Sequence, residues 1–326
     1  MAVGSFRETT PRFLVQTEKK GIYFDLASLT KPILTVPLVI DKIEKSHIPL
    51  DTAQVRDFFS DSPQILDSFL NMRAVALLRH QAGLVPWRNF WTNRLDPTFD
   101  SFSVTREERF RFFFDRLKES PQQGFSAEGK VVYSDIGYIL LGLILEARND
   151  QDLSGLFTSY CRELGAGVEA SLFFPTREGI NHETFVPTSF CKVRERWLQG
   201  EVHDENAAAL GGICGHAGLF GSGEGLVRFL GSYFRSEQGQ RQLKQNRSLF
   251  DVSVKGEYLL GWQKEEFPFA PGTRVFKHLG FTGTGVWVLP DLEKFIIILT
   301  NRVRSERISS WINKLRLDLC ETCWGV

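Results

Sequence analysis

The sequence predicts an α+β fold, in which an antiparallel sheet with flanking helices carries an inserted, mainly helical region. Strand-like segments stand near both ends of the chain, whereas the residues between them have the pattern of helices and loops. We therefore assign residues 1–50 together with residues 205–326 to the sheet region, and residues 51–204 to the helical region. A ligand groove is expected where the two regions meet, which is a usual place for such sites.

The N-terminal part of the chain has the pattern of two short strands followed by a helix. The strands are predicted at residues 12–17 and 22–24, and the helix is expected to begin at once and to carry Ser28 and Lys31. Their three-residue spacing places both side chains on one helical face, within reach of each other. Pro37 has no backbone N–H to donate, so it predicts a bend or a restart of this helix.

The middle of the chain has the pattern of helices separated by loops. Helices are predicted at residues 71–79, 107–118 and 136–147. The third is strongly apolar and begins shortly after Tyr133, so Ser134 or Asp135 is placed to cap it. The sequence thus puts a tyrosine beside a helix N-terminus.

The C-terminal part alternates glycine-rich turns with strand-like segments. Strands are predicted at residues 258–262, 275–278, 284–289 and 295–300. The last two are close enough in sequence to form a hairpin, which makes the predicted sheet antiparallel. A final amphipathic helix is predicted at residues 308–319 and is expected to pack on the sheet.

The composition argues against several classes of function. Lys plus Arg and Asp plus Glu are equal at 39 each among 326 residues, so charge favours neither nucleic acid nor an anionic membrane as a partner. No apolar run is long enough to span a bilayer, and the first residues lack the pattern of a secretory signal. The five cysteines, an odd number, indicate reduced thiols and a cytoplasmic location.

The most informative residues for function are Ser28 and Lys31. A serine hydroxyl is a weak nucleophile until a neighbouring base takes its proton. A lysine can be that base only where its surroundings favour the neutral amine. This pair is therefore a candidate for acyl transfer, although the S-x-x-K pattern alone also occurs by chance in ordinary helices.

Three motifs in order resemble those of the β-lactamase and penicillin-binding-protein superfamily of serine acyl transferases: Ser28-Leu29-Thr30-Lys31, Tyr133-Ser134-Asp135 and His278-Leu279-Gly280. The likeness is greatest to the class C-like branch of esterases, D-amino peptidases and cell-wall amidases. That branch has S-x-x-K, Y-x-N, and K-T-G or H-x-G. The resemblance covers nearly the whole chain and implies a β-lactamase/transpeptidase-like fold.

The resemblance implies a role for each motif residue. Ser28 would attack the substrate carbonyl, and Lys31 would accept the serine proton. Tyr133 would pass a proton between the nucleophile and the leaving group, with Lys31 holding the pKa of its phenol below the usual value. The backbone N–H groups of Ser28 and Phe281 would form the oxyanion hole.

The same resemblance assigns substrate-binding residues. His278 would line the cleft beside Lys31 and Tyr133, and Gly280 would leave room for the substrate backbone along the strand edge. Asp135 stands where the family usually has Asn, so it either pairs with Lys31, which opposes its use as a base, or accepts a hydrogen bond from the substrate. His278 replaces the usual Lys and weakens the fixed positive charge near neutral pH. Both departures argue against an efficient β-lactamase.

Residues 200–207 resemble a segment of a subset linked to the recycling of bacterial cell-wall sugars and peptides. That subset includes amidases that cut the bond between N-acetylmuramic acid and L-alanine. His203 is therefore placed at the rim of the cleft as a substrate-binding residue. Asp204 and Glu205 follow it, but no second ligand cluster accompanies them, so no metal and no other cofactor is expected.

Structural roles are assigned to several other polar residues. His80 and His216 stand beside glycines in turns and are expected to make structural hydrogen bonds. Arg302 could meet a substrate carboxylate, but a surface ion pair is the favoured interpretation. Cys320 and Cys323 have C-x-x-C spacing without a second pair, so they are interpreted as ordinary thiols.

The sequence therefore predicts a serine hydrolase that works through an acyl-enzyme on an amide or ester. The expected substrate is a peptidoglycan-derived peptide or muropeptide, which an amidase or carboxypeptidase would cleave. One alternative is a general carboxylesterase of the same family. Another is a catalytically poor protein that binds cell-wall fragments, and a third is a structural interaction protein on this fold.

Overall fold

The structure is a computed structural model, and it describes residues 1–6, 12–13, 22–58, 67–118, 130–147, 151–169, 171–176, 181–304 and 311–324. Of the predicted elements, residues 14–17 of the first N-terminal strand and residues 308–310 of the last helix lie outside the described residues. The remaining predicted elements can be compared directly with the structure.

A large antiparallel sheet organises the fold. The strands are β1 Ala2–Ser5, β2 Arg12–Phe13, β3 Phe24–Asp25, β4 Leu172–Phe173, β5 Phe190–Cys191, β6 Arg196–Trp197, β7 Phe220–Gly221, β8 Gln263–Glu265, β9 Val275–Leu279, β10 Gly285–Leu289 and β11 Lys294–Ile298. Six of them form one sheet in the order β2-β1-β11-β10-β9-β8, with Ala2 opposite Ile297. Two smaller sheets have the orders β3-β7-β4 and β5-β6.

Helices cover this sheet and fill the middle of the chain. They are α1 Val36–Lys45, α2 Asp67–Leu70, α3 Ala74–Leu78, α4 Arg106–Lys118, α5 Asp135–Ala147, α6 Leu153–Glu163, α7 Glu205–Ala209, α8 Gly223–Arg235, α9 Glu237–Val252 and α10 Trp311–Trp324. None of the helices in the described part of the chain combines the length and the apolar character that crossing a membrane requires.

Strand β10 shows why the sheet is central. All five of its residues are buried, because alternate side chains point into two different cores. Val286 and Val288 join the large core that includes α8, whereas Trp287 and Leu289 join a smaller core with Cys320 of α10. Helices therefore cover both faces of the sheet, and the predicted α+β class is confirmed.

One predicted strand, at residues 258–262, is wrong. Tyr258 makes only an isolated bridge to Gln263, and the backbone N–H of Leu259 donates to the carbonyl of Trp262 at 2.6 Å. Gly261 has a φ of +79°, which suits the turn between them. The segment is apolar because Leu259 and Trp262 pack into the core, and the strand itself begins at Gln263.

The division of the chain into two regions stays a prediction. Strands β1 and β2 lie beside strands from the C-terminal part, as the proposed sheet region requires. However, Leu172–Phe173, from the predicted helical region, contributes β4 to a small sheet with β7. All five cysteines are free thiols, in keeping with the interpretation of Cys320 and Cys323.

Candidate active site

Ser28 and Lys31 lie in contact at the point where the first long helix begins. Ser28 is in a 3₁₀ turn, Ala27–Leu29, and Lys31 opens a π-helical segment, Lys31–Thr35. The helical backbone continues without a break from this segment into α1 at Val36, so the restart expected near Pro37 is wrong. The Lys31 Nζ donates a hydrogen bond to Ser28 Oγ at 3.1 Å. The contact agrees with the spacing argument, although the backbone is not the α-helix expected.

The Lys31 amine is buried and contacts three oxygen atoms. Its side chain has no exposed area, and Nζ lies 2.7 Å from Asp135 Oδ1 and 3.1 Å from the carbonyl oxygen of His216. Together with Ser28 Oγ, these supply three acceptors, which match the three N–H groups of an ammonium. Of the two options for Asp135, the structure therefore contains the ion pair with Lys31.

Tyr133 is held beside Ser28 by the residues on either side of it. The backbone N–H of Val132 donates to the carbonyl of His80 at 2.9 Å, and that of Ser134 donates to His80 Nδ1 at 3.0 Å. The Ser28 hydroxyl is near enough to the Tyr133 phenol to lower its pKa in part. The Lys31 Nζ lies 5.0 Å from the centre of the Tyr133 ring. The three side chains are thus brought together.

The expected lowering of the Tyr133 pKa is wrong. Burial and the nearby Asp135 carboxylate hold the pKa of this phenol well above its usual value, and the Ser28 hydroxyl opposes them only in part. A phenolate here would lack water and would face a carboxylate. Tyr133 therefore keeps its proton near neutral pH.

Asp25 shapes the turn that presents Ser28, and the sequence analysis did not single it out. Asp25 Oδ1 accepts the backbone N–H of Ala27 at 2.8 Å, and Oδ2 accepts that of His203 at 2.7 Å. Ala27 has a φ of +48°, a left-handed conformation that is strained for a residue with a side chain. Burial raises the pKa of Asp25 to about 6, against the opposing effect of these two bonds.

The turn between β9 and β10 is joined to the same segment by two hydroxyl groups. Thr282 Oγ1 donates to the carbonyl of Asp25 at 2.7 Å, and Thr284 Oγ1 donates to that of Leu26 at 3.1 Å. These bonds fix the segment that contains Phe281 beside the residues that precede Ser28. The Phe281 side chain itself is 60% exposed.

The role expected for Gly280 needs correction. A Cβ built at this position would lie 2.0 Å from Thr284 Oγ1 and 2.7 Å from the carbonyl oxygen of Leu26. The missing side chain therefore leaves room for the hydroxyl and the backbone of this protein, and not for a substrate backbone. Gly280 permits the close approach that lets Thr284 reach Leu26.

His278 also differs from its expected role. It is only 3% exposed, and its Nδ1 lies 2.9 Å from the carbonyl oxygen of Gly261. Burial and the Lys31 charge lower the pKa of His278 to about 3, so the ring is neutral at ordinary pH. His278 therefore supports Tyr133, 6.3 Å away between ring centres, from within the protein. It has too little exposed surface for a substrate contact.

A second buried ion pair lies behind Lys31. His216 Nε2 is 2.9 Å from Asp204 Oδ1, and the same carboxylate oxygen accepts the backbone N–H of Ala207 at the start of α7. Burial alone would lower the pKa of His216, but the neighbouring Cys214 and Asp204 side chains raise it to about 10. Since the His216 carbonyl contacts Lys31 Nζ, this pair helps to hold the lysine in place.

The rim of the site contains His203, Phe281 and Arg302. The ring centres of His203 and Phe281 are 5.5 Å apart, and the Arg302 guanidinium lies 4.8 Å from the centre of the Phe281 ring. Burial lowers the pKa of His203 to about 4, so it is neutral at ordinary pH. In the described part of the chain Arg302 makes no ion pair with a carboxylate, contrary to the favoured interpretation.

The family profile that matches this chain covers almost all of it. The profile is that of the family described as Beta-lactamase, and it matches residues 22–318. The chain belongs to the beta-lactamase family. It is accordingly a serine hydrolase related to β-lactamases and penicillin-binding proteins. Among the described residues, no group of three or more His, Cys, Asp or Glu side chains is arranged to hold a metal ion.

Similar proteins occur in bacteria. An N-acetylmuramyl-L-alanine amidase of Bacillus subtilis (strain 168) is 27% identical, over 87% of this chain and 69% of the relative. A putative D-alanyl-D-alanine carboxypeptidase of Escherichia coli (strain K12) is 26% identical, over 87% of this chain and 70% of the relative. Both similarities extend over most of this chain.

Solved structures support the fold alone, because their sequence identity is low. The D-amino acid amidase of Ochrobactrum anthropi SV3 has a TM-score of 0.67 at 16% identity, covering 99% of this chain and 92% of that one. A class C beta-lactamase of Rhodobacter sphaeroides has a TM-score of 0.64 at 14% identity, covering 98% and 93%. The predicted β-lactamase/transpeptidase-like fold is therefore confirmed.

Proposed function

We propose that this serine hydrolase cleaves an amide bond in a peptidoglycan-derived peptide or muropeptide through an acyl-enzyme on Ser28. The observation that carries the proposal is the meeting of three groups at one point. Ser28 Oγ contacts Lys31 Nζ at 3.1 Å, the same Nζ lies 5.0 Å from the centre of the Tyr133 ring, and the Ser28 hydroxyl is near enough to Tyr133 to affect the pKa of its phenol. A nucleophile beside both a base and a proton donor is what acyl transfer requires.

The proton positions assign different tasks to Lys31 and Tyr133. In the reactive form the Lys31 amine is neutral and accepts the Ser28 proton as the serine oxygen attacks the carbonyl. Because the pKa of Tyr133 is raised, its phenol is a proton donor, and it protonates the leaving nitrogen as the amide bond breaks. Lys31 then returns its proton to Tyr133. Water releases the acyl group by the same steps in reverse.

The oxyanion hole is proposed at the backbone N–H groups of Ser28 and Phe281. The bonds from Thr282 and Thr284 to the residues just before Ser28 support this assignment, because they hold the two peptide groups in a fixed relation. Fixed donors are effective because they need no reorganisation as charge develops on the carbonyl oxygen. His203 and Phe281 are proposed to contact the substrate at the rim.

The substrate class rests on similarity to bacterial relatives. Two bacterial relatives carry the names of an N-acetylmuramyl-L-alanine amidase and a putative D-alanyl-D-alanine carboxypeptidase. Both names denote hydrolysis of an amide bond in a cell-wall compound. We extend this class to the present chain, and a general carboxylesterase remains the alternative for its chemistry.

Labelling tests the nucleophile, and product analysis tests the substrate. A fluorophosphonate or penicillin probe should modify Ser28, and Ser28→Ala should abolish the adduct. Incubation with purified muropeptides, followed by mass spectrometry, should reveal cleavage of one type of amide bond. Ser248→Ala is a control, because Ser248 is exposed on α9 and its hydroxyl donates to the Lys244 carbonyl of the same helix. Complete absence of an adduct across a broad probe set would contradict the acyl-enzyme.

The ion pair between Lys31 and Asp135, at 2.7 Å, favours one second candidate. A lysine held as an ammonium cannot take the serine proton, and the protein would then bind cell-wall fragments without cleaving them. Calorimetry with muropeptides, combined with product analysis, separates the two functions. Binding without turnover supports the second candidate, whereas rapid release of products excludes it.

A further inference from the structure

An exposed group of two arginines and two aromatic residues borders the site. We name it the arginine–aromatic rim, and it consists of Phe281, Trp197, Arg302 and Arg304. Phe281 is 60% exposed and Trp197 is 52% exposed, although large aromatic side chains are usually buried. The two arginines belong to one short 3₁₀ turn, Arg302–Arg304.

Each arginine packs on one aromatic ring. The Arg302 guanidinium lies 4.8 Å from the centre of the Phe281 ring, and the Arg304 guanidinium lies 4.7 Å from the centre of the Trp197 ring. Arg302 Nε also donates to the carbonyl oxygen of Phe281 at 2.7 Å. A stacked guanidinium keeps its edge free for hydrogen bonds, and its planar shape limits the freedom that it loses on binding.

The turn that carries the arginines is closed by its own hydrogen bond and is joined to a second loop at Pro187. The Asn301 side-chain amide donates to the carbonyl of Pro187 at 3.0 Å, and the Arg304 backbone N–H donates to the Asn301 carbonyl at 3.0 Å. Trp197 lies in the hairpin β5–β6, opposite Phe190. The rim therefore connects the end of β9, beside Ser28, with this hairpin.

The two arginines of the rim contact rings and carbonyl groups. Within the described ranges, neither Arg302 nor Arg304 forms an ion pair with a carboxylate, and their known contacts are rings and carbonyl groups. Other arginines of the chain are paired, such as Arg196 with Glu201 at 2.7 Å and Arg228 with Glu224 at 2.8 Å. The chain has no net charge, so two cations without a carboxylate partner among the described residues, both at the edge of one cleft, are a local feature.

We propose that the arginine–aromatic rim binds the carboxylates of an acidic peptide segment in the substrate. This inference rests on the proposed function, because it concerns the same cleft. A guanidinium binds a carboxylate through two parallel N–H···O bonds, and a peptide that carries two carboxylates could engage both arginines. Phe281 would place the first carboxylate next to the reacting carbonyl, and Trp197 would define the far end of the site.

A matched pair of substrates tests the proposal. One is N-acetylmuramyl-L-alanyl-glutamate, and the other is the same compound with both glutamate carboxylates converted to carboxamides. The expected kcat/KM of the wild-type protein is roughly tenfold higher for the acidic compound, as suits exposed charge-assisted hydrogen bonds. Arg302→Gln and Arg304→Gln should each lower the ratio of the two kcat/KM values, and the double variant should bring it close to one.

Controls separate charge from structure. Arg302→Lys keeps the charge but not the planar guanidinium. It should lower the ratio of the two kcat/KM values less than Arg302→Gln does. Arg228→Gln, on the exposed face of α8, should leave the ratio unchanged. High salt should reduce the wild-type ratio, since exposed charges are screened. A ratio near one in the wild-type protein, or one that the double variant does not change, would overturn the proposal.

A binding measurement keeps this test independent of catalysis. Ser28→Ala removes the nucleophile, and calorimetry can then measure the dissociation constants of the same two compounds. The acidic compound should bind more tightly to Ser28→Ala than the neutral compound does. This preference should disappear when Arg302→Gln and Arg304→Gln are added. That result supports the proposed carboxylate site even where no turnover occurs. Equal binding of both compounds overturns the rim, whatever the enzyme activity. Absence of turnover with selective binding contradicts only the proposed hydrolysis.

Discussion

The buried floor of the candidate site uses positive charge differently from the arginine–aromatic rim. The floor consists of Lys31, Asp135, His216 and Asp204. On the floor, Lys31 is buried and paired with Asp135, and His216 is buried and paired with Asp204. At the rim, Arg302 lies on an exposed aromatic ring and has no carboxylate partner among the described residues. The floor satisfies its charges internally, whereas the rim leaves them available to a ligand.

This difference separates groups that hold the site from groups that recognise a ligand. A buried charge without a partner is costly, so each cation of the floor requires its own anion. An exposed guanidinium is hydrated and can exchange its water for a carboxylate. We therefore expect substitutions on the floor to affect turnover or stability, and substitutions at the rim to affect the choice of substrate.

The largest effect should follow Lys31→Ala, which removes the base from the floor. We expect kcat to fall by about a thousandfold or more, because nucleophile and base act as one unit. Kinetics with a muropeptide substrate will measure the change. Lys45→Ala is the matched control, since this exposed lysine pairs with Asp41 on the surface of α1. Comparable activity of Lys31→Ala and the wild type would mean that Lys31 is not the base.

The next effect concerns stability and tests whether the second ion pair holds the floor. Asp204→Asn keeps the shape and the capping oxygen, but it leaves the buried His216 without its anion. The expected loss in the free energy of unfolding is about 3 kcal/mol at pH 6, as for other broken buried pairs. Urea unfolding of both proteins will show it. Glu224→Gln, which breaks an exposed pair with Arg228, should cost less than about 1 kcal/mol.

The same pair sets a dependence of stability on pH. The pKa of His216 is raised from 6.5 to about 10, so its contribution is complete below pH 6.5 and is lost as pH rises toward 10. The wild-type midpoint of urea unfolding should therefore decline across this interval, and Asp204→Asn should decline less. Parallel profiles for the two proteins would mean that the pair does not stabilise the fold.

Gly280→Ala should have a smaller effect on stability. It tests whether the close packing of Gly280 against Leu26 keeps Ser28 in position. Its Cβ would lie 2.7 Å from the Leu26 carbonyl oxygen, so the strand or the turn must shift. We expect a loss of about 1–3 kcal/mol in the free energy of unfolding, as for other overpacked sites, together with lower kcat. Gly137→Ala in α5 is the control, because its nearest neighbour lies at an ordinary 3.4 Å. Equal stability of the two variants would disagree with the crowding argument.

The smallest effect is expected for Asp135→Asn, and its sign distinguishes the two candidate functions. Asparagine removes the negative charge that lies 2.7 Å from Lys31 Nζ. We expect kcat/KM to increase several-fold, because this ion pair opposes transfer of the Ser28 proton to the amine. Kinetics with a muropeptide substrate will measure the change. A decrease would show that the carboxylate positions Lys31 productively.

Local spacing predicted some of these contacts, and tertiary packing decided the others. Ser28 and Lys31 are three residues apart, so any helical turn brings them together, whether it is 3₁₀, π or α. The pairing of His216 with Asp204 joins two loops and has no signal in sequence spacing. The direction of the Tyr133 pKa depends on burial and on Asp135, neither of which can be read from a motif.

The same distinction explains the errors in the sheet. The predicted strand near β10 agrees with the structure because its apolar run is buried on both faces. The run at residues 258–262 is equally apolar, but it fills the core as a turn. Hydrophobic pattern predicts burial in both cases, and only partner strands decide which segment pairs.

The bonds from Thr282 and Thr284 to the turn before Ser28 have a consequence for biosynthesis. The nucleophile is made early, yet the residues that align it lie more than 250 positions later in the chain. Contacts of such long sequence separation form late and slowly. While Thr282 and Thr284 are still inside the ribosome, Ser28 is already made but lacks the two hydrogen bonds that align its turn. Hydrolytic activity should therefore arise only when translation is nearly finished.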